Sequence, residues 1–328
     1  MFATHLDKNA VAGSPDKVPS RNGYGEGLLE AAKRDEAVVA LSADLTESTR
    51  TLQFAEAFPK RFLQMGVAEQ NMASVASGMA AMGKVPFIAS YAMFSPGRNW
   101  EQIRTTVAYN NVNVKIVGAH AGISVGPDGA THQAVEDVAL MRVVPNMVVI
   151  SPCDAHEARK ATLVAAKHVG PVYIRIGRSD TPVVTTADSP FVLGQAEFLY
   201  RKNPELEKSV ALVVTGTLAY NALQAAVTLE AQGIGATVLH MATIKPLDAA
   251  ALEEVARTHT GIVTIEEHQI TGGLGGAVAE HLSGVVPTMI TRLGITDQFG
   301  QSGEPEELLA YYGLDIPAIV AAGQALVA

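Results

Sequence analysis

Gly66-Val67-Ala68-Glu69-Gln70-Asn71-Met72 joins a short apolar run at 62–65 to a stretch of small residues at 71–82. The first reads as a strand and the second as a helix, so the junction is the strand-to-helix turn of an α/β layer. It carries one acid, Glu69. Two readings of that acid stand open. A buried carboxylate is costly without a polar partner, and acids with raised pKa are the usual tools of proton transfer. A glutamate in the first turn of a helix also simply favours the helix dipole.

The same alternation continues on both sides. Strands are expected at 37–42, 85–90, 112–119, 148–151 and 172–176, with helices at 23–33, 70–82, 98–109, 131–142 and 154–167. That order predicts a mostly parallel sheet covered on both faces. Residues 180–206 carry Pro182, Pro190 and Pro204 and read as a linker. A second set follows: strands at 210–215, 236–241 and 261–266, helices at 218–232, 249–258 and 275–282. The fold class is therefore α/β, with two doubly wound domains. The expected organisation is a flexible leader at 1–20, a first domain at 21–182, a linker at 183–206 and a smaller domain at 207–328.

Composition narrows the function. Of 328 residues, 48% are hydrophobic and only 17% charged, enough to bury two cores. The net charge of -9 argues against nucleic acid or an anionic membrane as partner. A single cysteine, Cys153, excludes an internal disulfide and makes a reducing, cytoplasmic setting the default. Residues 1–20 lack the apolar core of a secretory signal, and no apolar run reads as a membrane span.

Chemistry is expected where loops leave the carboxyl ends of parallel strands. His120-Ala-Gly-Ile-Ser-Val-Gly-Pro-Asp128-Gly-Ala-Thr-His132-Gln133 is such a loop. Its glycines allow unusual dihedrals, and it holds two histidines and one aspartate together, which favours function over turn-capping. Asp44 and Ser48 lie on another strand-end loop, where capping is the competing use. Phe94, in Tyr91-Ala-Met-Phe-Ser-Pro-Gly-Arg98, follows a strand and suits a flat ring, though core packing also explains it. Arg21 and Arg178 flank the first domain, each a phosphate ligand or a solvated charge. The glycine run at 271–277 is a poor dinucleotide loop and reads as a tight turn. Cys153 lacks a local histidine and is assigned to packing. No Cys/His spacing marks a zinc site, and no metal ligand is expected on this chain.

Taken together, SADLTEST (42–49), MGVAEQNM (65–72), YAMFSPGR (91–98), HAGISVGPDGATHQ (120–133) and EEHQITGGLGG (266–276) resemble the second part of a transketolase. The resemblance covers the chain from about Ser20 onward. It implies a pyrimidine-binding domain followed by a transketolase C-terminal domain. The family's Gly-Asp-Gly motif for Mg²⁺ and the cofactor diphosphate is absent here, so the nearest pattern is a split transketolase. The implied partner is an N-terminal subunit carrying the diphosphate-binding domain and the Mg²⁺ ligands, in an α2β2 heterotetramer. The implied activity is transfer of a two-carbon ketol unit between phosphorylated sugars with thiamine diphosphate, and only in that assembly.

Roles follow from the resemblance residue by residue. Glu69 matches the glutamate that bonds N1′ of the cofactor's aminopyrimidine. Phe94 and Tyr91 match its ring-facing aromatics, while Gly97 stands where cellular transketolases carry a third. Asp44 joins them as a cofactor contact. His132 and His120 match histidines that touch donor oxygens and assist proton transfer. Asp128 matches the reader of a substrate hydroxyl. Arg21, Ser48, His120 and Arg178 match the group that holds the sugar's terminal phosphate.

Three other readings remain. A β chain of a 2-oxo acid dehydrogenase has similar length and domain order. Deoxyxylulose-phosphate synthase shares AGI and DG-x-THQ, but usually has aspartate at the position of His120. A non-catalytic binding or regulatory subunit could keep the fold, though it would not need Glu69, His120, Asp128 and His132 together.

Overall fold

The computed structural model describes residues 1–328 and contains two sheets. Twelve strands build them: β1 Val38–Ser42, β2 Phe62–Gln64, β3 Val85–Tyr91, β4 Lys115–Ala119, β5 Val148–Ile150, β6 Val172–Arg175, β7 Glu197–Tyr200, β8 Ser209–Val214, β9 Gly235–His240, β10 Thr243–Lys245, β11 Gly261–Gln269 and β12 Ile290–Ile295. The larger sheet runs β10-β5-β6-β4-β3-β1-β2 and the smaller β12-β11-β8-β9-β7. All pairs are parallel except β10 on β5 and β7 on β9. Both are helix-covered α/β sheets, as the alternation of apolar runs and helices predicts.

Alternate residues of the central strands enter two different cores, as the pleat requires. Ala40, Phe87, Val117 and Ile174 face the helices Ser20–Arg34 and Ala155–Lys167. Leu41, Ile88, Ile116 and Tyr173 face Met72, Ala73 and Ala76 of the helix Glu69–Ala81, with Ile103 and Val107. The register aligns Leu41 with Ile88, Ile88 with Ile116 and Ile116 with Tyr173. Hence the carboxyl ends of β1, β3, β4 and β6 open on one edge.

Several expectations are corrected. The leader is not a detached arm: Phe2, Leu6 and Lys17 make bridges to Tyr200, Thr185 and Pro182, and Lys8–Val11 is a short helix capped by Asp7. The linker contains β7, an edge strand of the smaller sheet. Helix is seen only at Asp137–Arg142 rather than from 131, because the preceding residues are held by tertiary hydrogen bonds. The 98–109 helix is α-helical only at Trp100–Gln102, then π-helical through Ile103–Ala108. β10 comes from the second half of the chain yet extends the first sheet. Pro305–Val327 is long and apolar enough by composition to match a membrane span. It folds as two helices, Pro305–Tyr311 and Ile316–Val327, the second with Ile319, Val320 and Val327 buried in the core of the smaller sheet.

Candidate active site

Every residue singled out in the first domain lies at or just beyond the carboxyl edge of the larger sheet, or on the helix beside it. Asp44 and Ser48 follow β1, Glu69 follows β2, and Tyr91 and Phe94 end and follow β3. His120, Asp128 and His132 follow β4, and Arg178 follows β6. Arg21 opens the helix Ser20–Arg34 and reaches this edge with its side chain. Parallel strands in register do this without further design.

Glu69 is 1% exposed at the first residue of its helix. Arg98 Nη1 donates to Glu69 Oε2 at 2.7 Å, and Asn99 Nδ2 donates to the Glu69 carbonyl at 3.1 Å. Glu69 Oε1 has no hydrogen bond within the chain, so one acceptor is spare. The acid thus begins a helix and is buried with a polar partner.

Four rings cluster on the same edge, linked to Glu69 through Arg98. Tyr91 stacks on His120 with centroids 3.9 Å apart and lies near-parallel to Phe94 at 6.0 Å. His132 meets Phe94 edge-on at 5.5 Å and Tyr91 at 6.1 Å. The Arg98 guanidinium covers the Phe94 ring at 4.9 Å. Gly97 has no room for a side chain, since a Cβ there would lie 2.0 Å from the Met93 carbonyl oxygen. The third aromatic of cellular transketolases cannot be accommodated on this backbone, and Arg98 borders the Phe94 ring instead.

His120 is buried, in a left-handed conformation at φ 54°. Burial, then the charges of Arg21 and Arg178, His132 and Arg50, push its pKa down to about 3. It is neutral at pH 7. Arg21 Nη1 donates toward His120 Nε2 at 3.4 Å, which assigns the ring proton to Nδ1. His120 Nδ1 and Arg21 Nε are both buried and lack any partner. Unsatisfied buried donors of this kind are rare and point to a ligand acceptor.

The Arg21 Nη1 group also donates to the Ser48 carbonyl at 2.9 Å. Arg178 Nη1 donates to the Val125 carbonyl at 2.7 Å and to Asp128 Oδ1 at 3.2 Å. The Asp44 side chain is exposed and its amide donates to Gln64 Oε1 at 2.8 Å, so it borders the site without joining these contacts. His132 is half-buried and bonded to Thr131 Oγ1 at 2.9 Å.

Sequence reasoning missed the supports. Gln133 Nε2 donates to the carbonyls of Ile123, Gly126 and Gln301, pinning the histidine loop to the second half of the chain. Glu267 is fully buried and accepts from the Ser124 amide and from Thr217 Oγ1. Burial raises its pKa, which its partners partly offset. Both lie in quoted motifs, THQ and EEHQ, but their targets are distant in sequence. Arg98 closes the YAMFSPGR motif, but its contact with Glu69, 29 positions away, has no signal in the sequence. Glu266 caps the helix Leu274–Val285 by accepting from the amides of Leu274 and Gly275, so the glycine run is the tight turn expected. Cys153 is buried in the core. Its Sγ lies within 4.8 Å of ligand atoms of Glu157 and His240. His240 Nε2 already bonds Glu157 at 2.8 Å, so those two groups satisfy each other as an ion pair.

Comparison with known proteins gives two domain matches. The model of the transketolase pyrimidine-binding domain matches residues 16–183, and that of the transketolase C-terminal domain matches 201–319. A protein of Methanocaldococcus jannaschii carrying the name "transketolase C-terminal section" is 46% identical, over 90% of this chain and 92% of its own length. A 6-deoxy-6-sulfo-D-fructose transketolase subunit of Clostridium sp. strain MSTE9 is 39% identical, over 92% of each chain. A solved structure titled "split gene transketolase, inactive beta4 tetramer" superposes with a TM-score of 0.86 at 44% identity, covering 94% of this chain and 98% of that one.

Proposed function

Because this chain belongs to the transketolase family, as a split-transketolase type of subunit, we propose that it supplies the pyrimidine-side half of a thiamine-diphosphate-dependent ketol transferase. The observation that carries the reading is Glu69: a buried carboxylate with one oxygen bound to Arg98 and the other spare, the same Arg98 covering the Phe94 ring that lies near-parallel to Tyr91. An acceptor next to parallel aromatic faces fits a flat, nitrogen-bearing ring. Glu69, Phe94 and Tyr91 would hold the aminopyrimidine, with Asp44 at the margin. Thiamine diphosphate bound there would supply a nucleophilic carbon for two-carbon transfer between a ketose and an aldose.

The rest of the site handles the sugar. With the cofactor bound, Glu69 would accept a hydrogen bond from a nitrogen of its pyrimidine ring and favour the protonated form of that nitrogen. Neutral His120 presents Nδ1–H to a substrate oxygen, and its depressed pKa keeps it a donor without charge. His132, at the Phe94 edge, moves a proton to or from the donor hydroxyls. Asp128, anchored by Arg178, accepts from a substrate hydroxyl and reads its configuration. Arg21, Arg178 and Ser48 with His120 receive a terminal phosphate, for which planar guanidinium forks are suited.

No Gly-Asp-Gly occurs in the chain, so the Mg²⁺ and diphosphate ligands belong on a partner subunit. A heterotetramer with two copies of each chain is the assembly we propose. The name of the related β4 structure, described as inactive, supports a requirement for a second subunit type. The test is to purify the tagged chain from its native host and identify what accompanies it. A partner with Gly-Asp-Gly and a downstream asparagine, giving ketol transfer with thiamine diphosphate and Mg²⁺, is expected. A lipoyl-bearing complex instead would assign the chain to a 2-oxo acid dehydrogenase.

A further inference from the structure

Arg50 lies in the loop after β1 in a left-handed conformation, φ 63°, which is uncommon and costly for a long side chain. Its neighbours are shaped around it. A Cβ on Gly25 would lie 2.7 Å from the Arg50 carbonyl oxygen and 2.9 Å from the Arg50 Cβ. Arg50 Nε donates to Asn22 Oδ1 at 2.8 Å, which fixes the guanidinium, and its terminal nitrogens have no hydrogen-bond partner in the chain. That group lines the same open cleft, about 860 Å³, as Arg21 and Arg178.

The charges of Arg50 and Arg178 both reach Arg21. Burial lowers the Arg21 pKa, and the charges of Arg50 and Arg178 lower it further. The same cleft is also lined by Asp180, Glu304, Glu306 and Glu307. Glu306 is paired with Lys17 at 2.7 Å. The one carboxylate bonded to the trio is Asp128, on Arg178. Two of the three guanidiniums lining this cleft thus have no carboxylate partner, an arrangement that an anion relieves.

We propose that Arg50 is a specificity-determining residue, a third guanidinium that selects a sugar ending in a dianionic phosphate ester over one ending in a monoanion or a hydroxyl. The inference rests on the proposed function for the identity of the phosphate carrier. A phosphate ester carries about -1.5 to -2 charge at pH 7 and three acceptor oxygens. Arg21 and Arg178 each spend one terminal nitrogen on protein carbonyls, so the free nitrogens of Arg50 complete the set.

The test compares Arg50→Asn, whose side chain tolerates the left-handed backbone, with Arg50→Lys. Inorganic phosphate is titrated into the full chain by calorimetry. Arg50→Asn should weaken binding about tenfold or more, with partial recovery in Arg50→Lys. In the assembled enzyme, kcat/KM for a phosphorylated ketose relative to its unphosphorylated form should fall about tenfold or more in Arg50→Asn, chiefly through KM. Unchanged phosphate binding and an unchanged ratio would overturn the proposal. Arg21→Met separates the two levels. If it removes the phosphate preference while Arg50→Asn does not, the role of Arg50 alone is wrong. If neither variant alters it, or the native chain does not bind phosphate, the phosphate grip fails as well.

Discussion

His120 shows how much one residue's surroundings decide. The sequence places it beside an aspartate and a second histidine, and the resemblance assigns it two duties, at the donor oxygens and at the phosphate. The structure adds what spacing cannot: burial against Tyr91, a left-handed backbone and three nearby guanidiniums. Its pKa of about 3 lies below the unfolded value near 6.5, so between those limits the unfolded chain binds the extra proton. The contribution to stability is present above pH 6.5 and is lost as pH falls toward 3. Urea unfolding at stepped pH should show stability declining through this window, and His120→Asn should flatten the decline. It should not abolish it, because half-buried His259, lowered to about 4, titrates with the same sign. An equal slope in the variant would contradict the assignment. Arg50 marks the opposite limit of legibility. A lone arginine in a loop reads as a solvated charge, and only the fold sets it beside Arg21 and Arg178.

At the scale of elements, the central strands and the helices on each side were legible because apolar runs and small-residue helices alternate so regularly. What was not legible rests on contacts between distant segments. β10 is three residues long and gains its place by pairing with β5. The leader carries Gly13, Pro15 and Pro19, signals of a loose segment, yet Phe2 packs edge-on against Tyr200 at 4.9 Å and the arm is held. Residues 131–136 have a helical apolar pattern, but tertiary bonds such as those of Gln133 claim them first. The turn after β3 is equally demanding. A methyl group at Gly97 would strike the Met93 carbonyl oxygen, so Gly97→Ala must shift this backbone. Overpacking of this kind costs about 1–3 kcal/mol. A thermal melt should show that loss, together with reduced activity, because Phe94 and Arg98 sit on the same turn. An undisturbed melting temperature would mean that the turn relaxes freely.

Across the whole molecule, the second half of the chain acts as a brace for the first. Arg175, at the end of β6, donates Nε to Asp137 Oδ2 at 2.9 Å and Nη2 to the Glu267 carbonyl at 2.7 Å. Tyr173 adds its hydroxyl to the same Asp137 oxygen at 2.7 Å. Arg175 is 8% exposed and Asp137 1%, so removing one partner strands a buried charge. Asp137→Ala should therefore destabilise the protein by about 3–5 kcal/mol, measured by urea unfolding, whereas a loss below 1 kcal/mol would show that the pair is not needed. The proposed need for a partner subunit rests on the same architecture. The carboxyl edge of the larger sheet presents Glu69, the aromatic rings and the arginines, and the motif for the cofactor's diphosphate is absent from the sequence. The most direct measurement is ketol transfer from a phosphorylated ketose by this chain reconstituted with its copurifying partner, thiamine diphosphate and Mg²⁺, with native and Glu69→Ala chains side by side. Transfer by the native pair, none by the chain alone and a loss of several orders of magnitude in Glu69→Ala are predicted. Undiminished transfer in the Glu69→Ala pair, or transfer by the chain without a partner, would contradict the account.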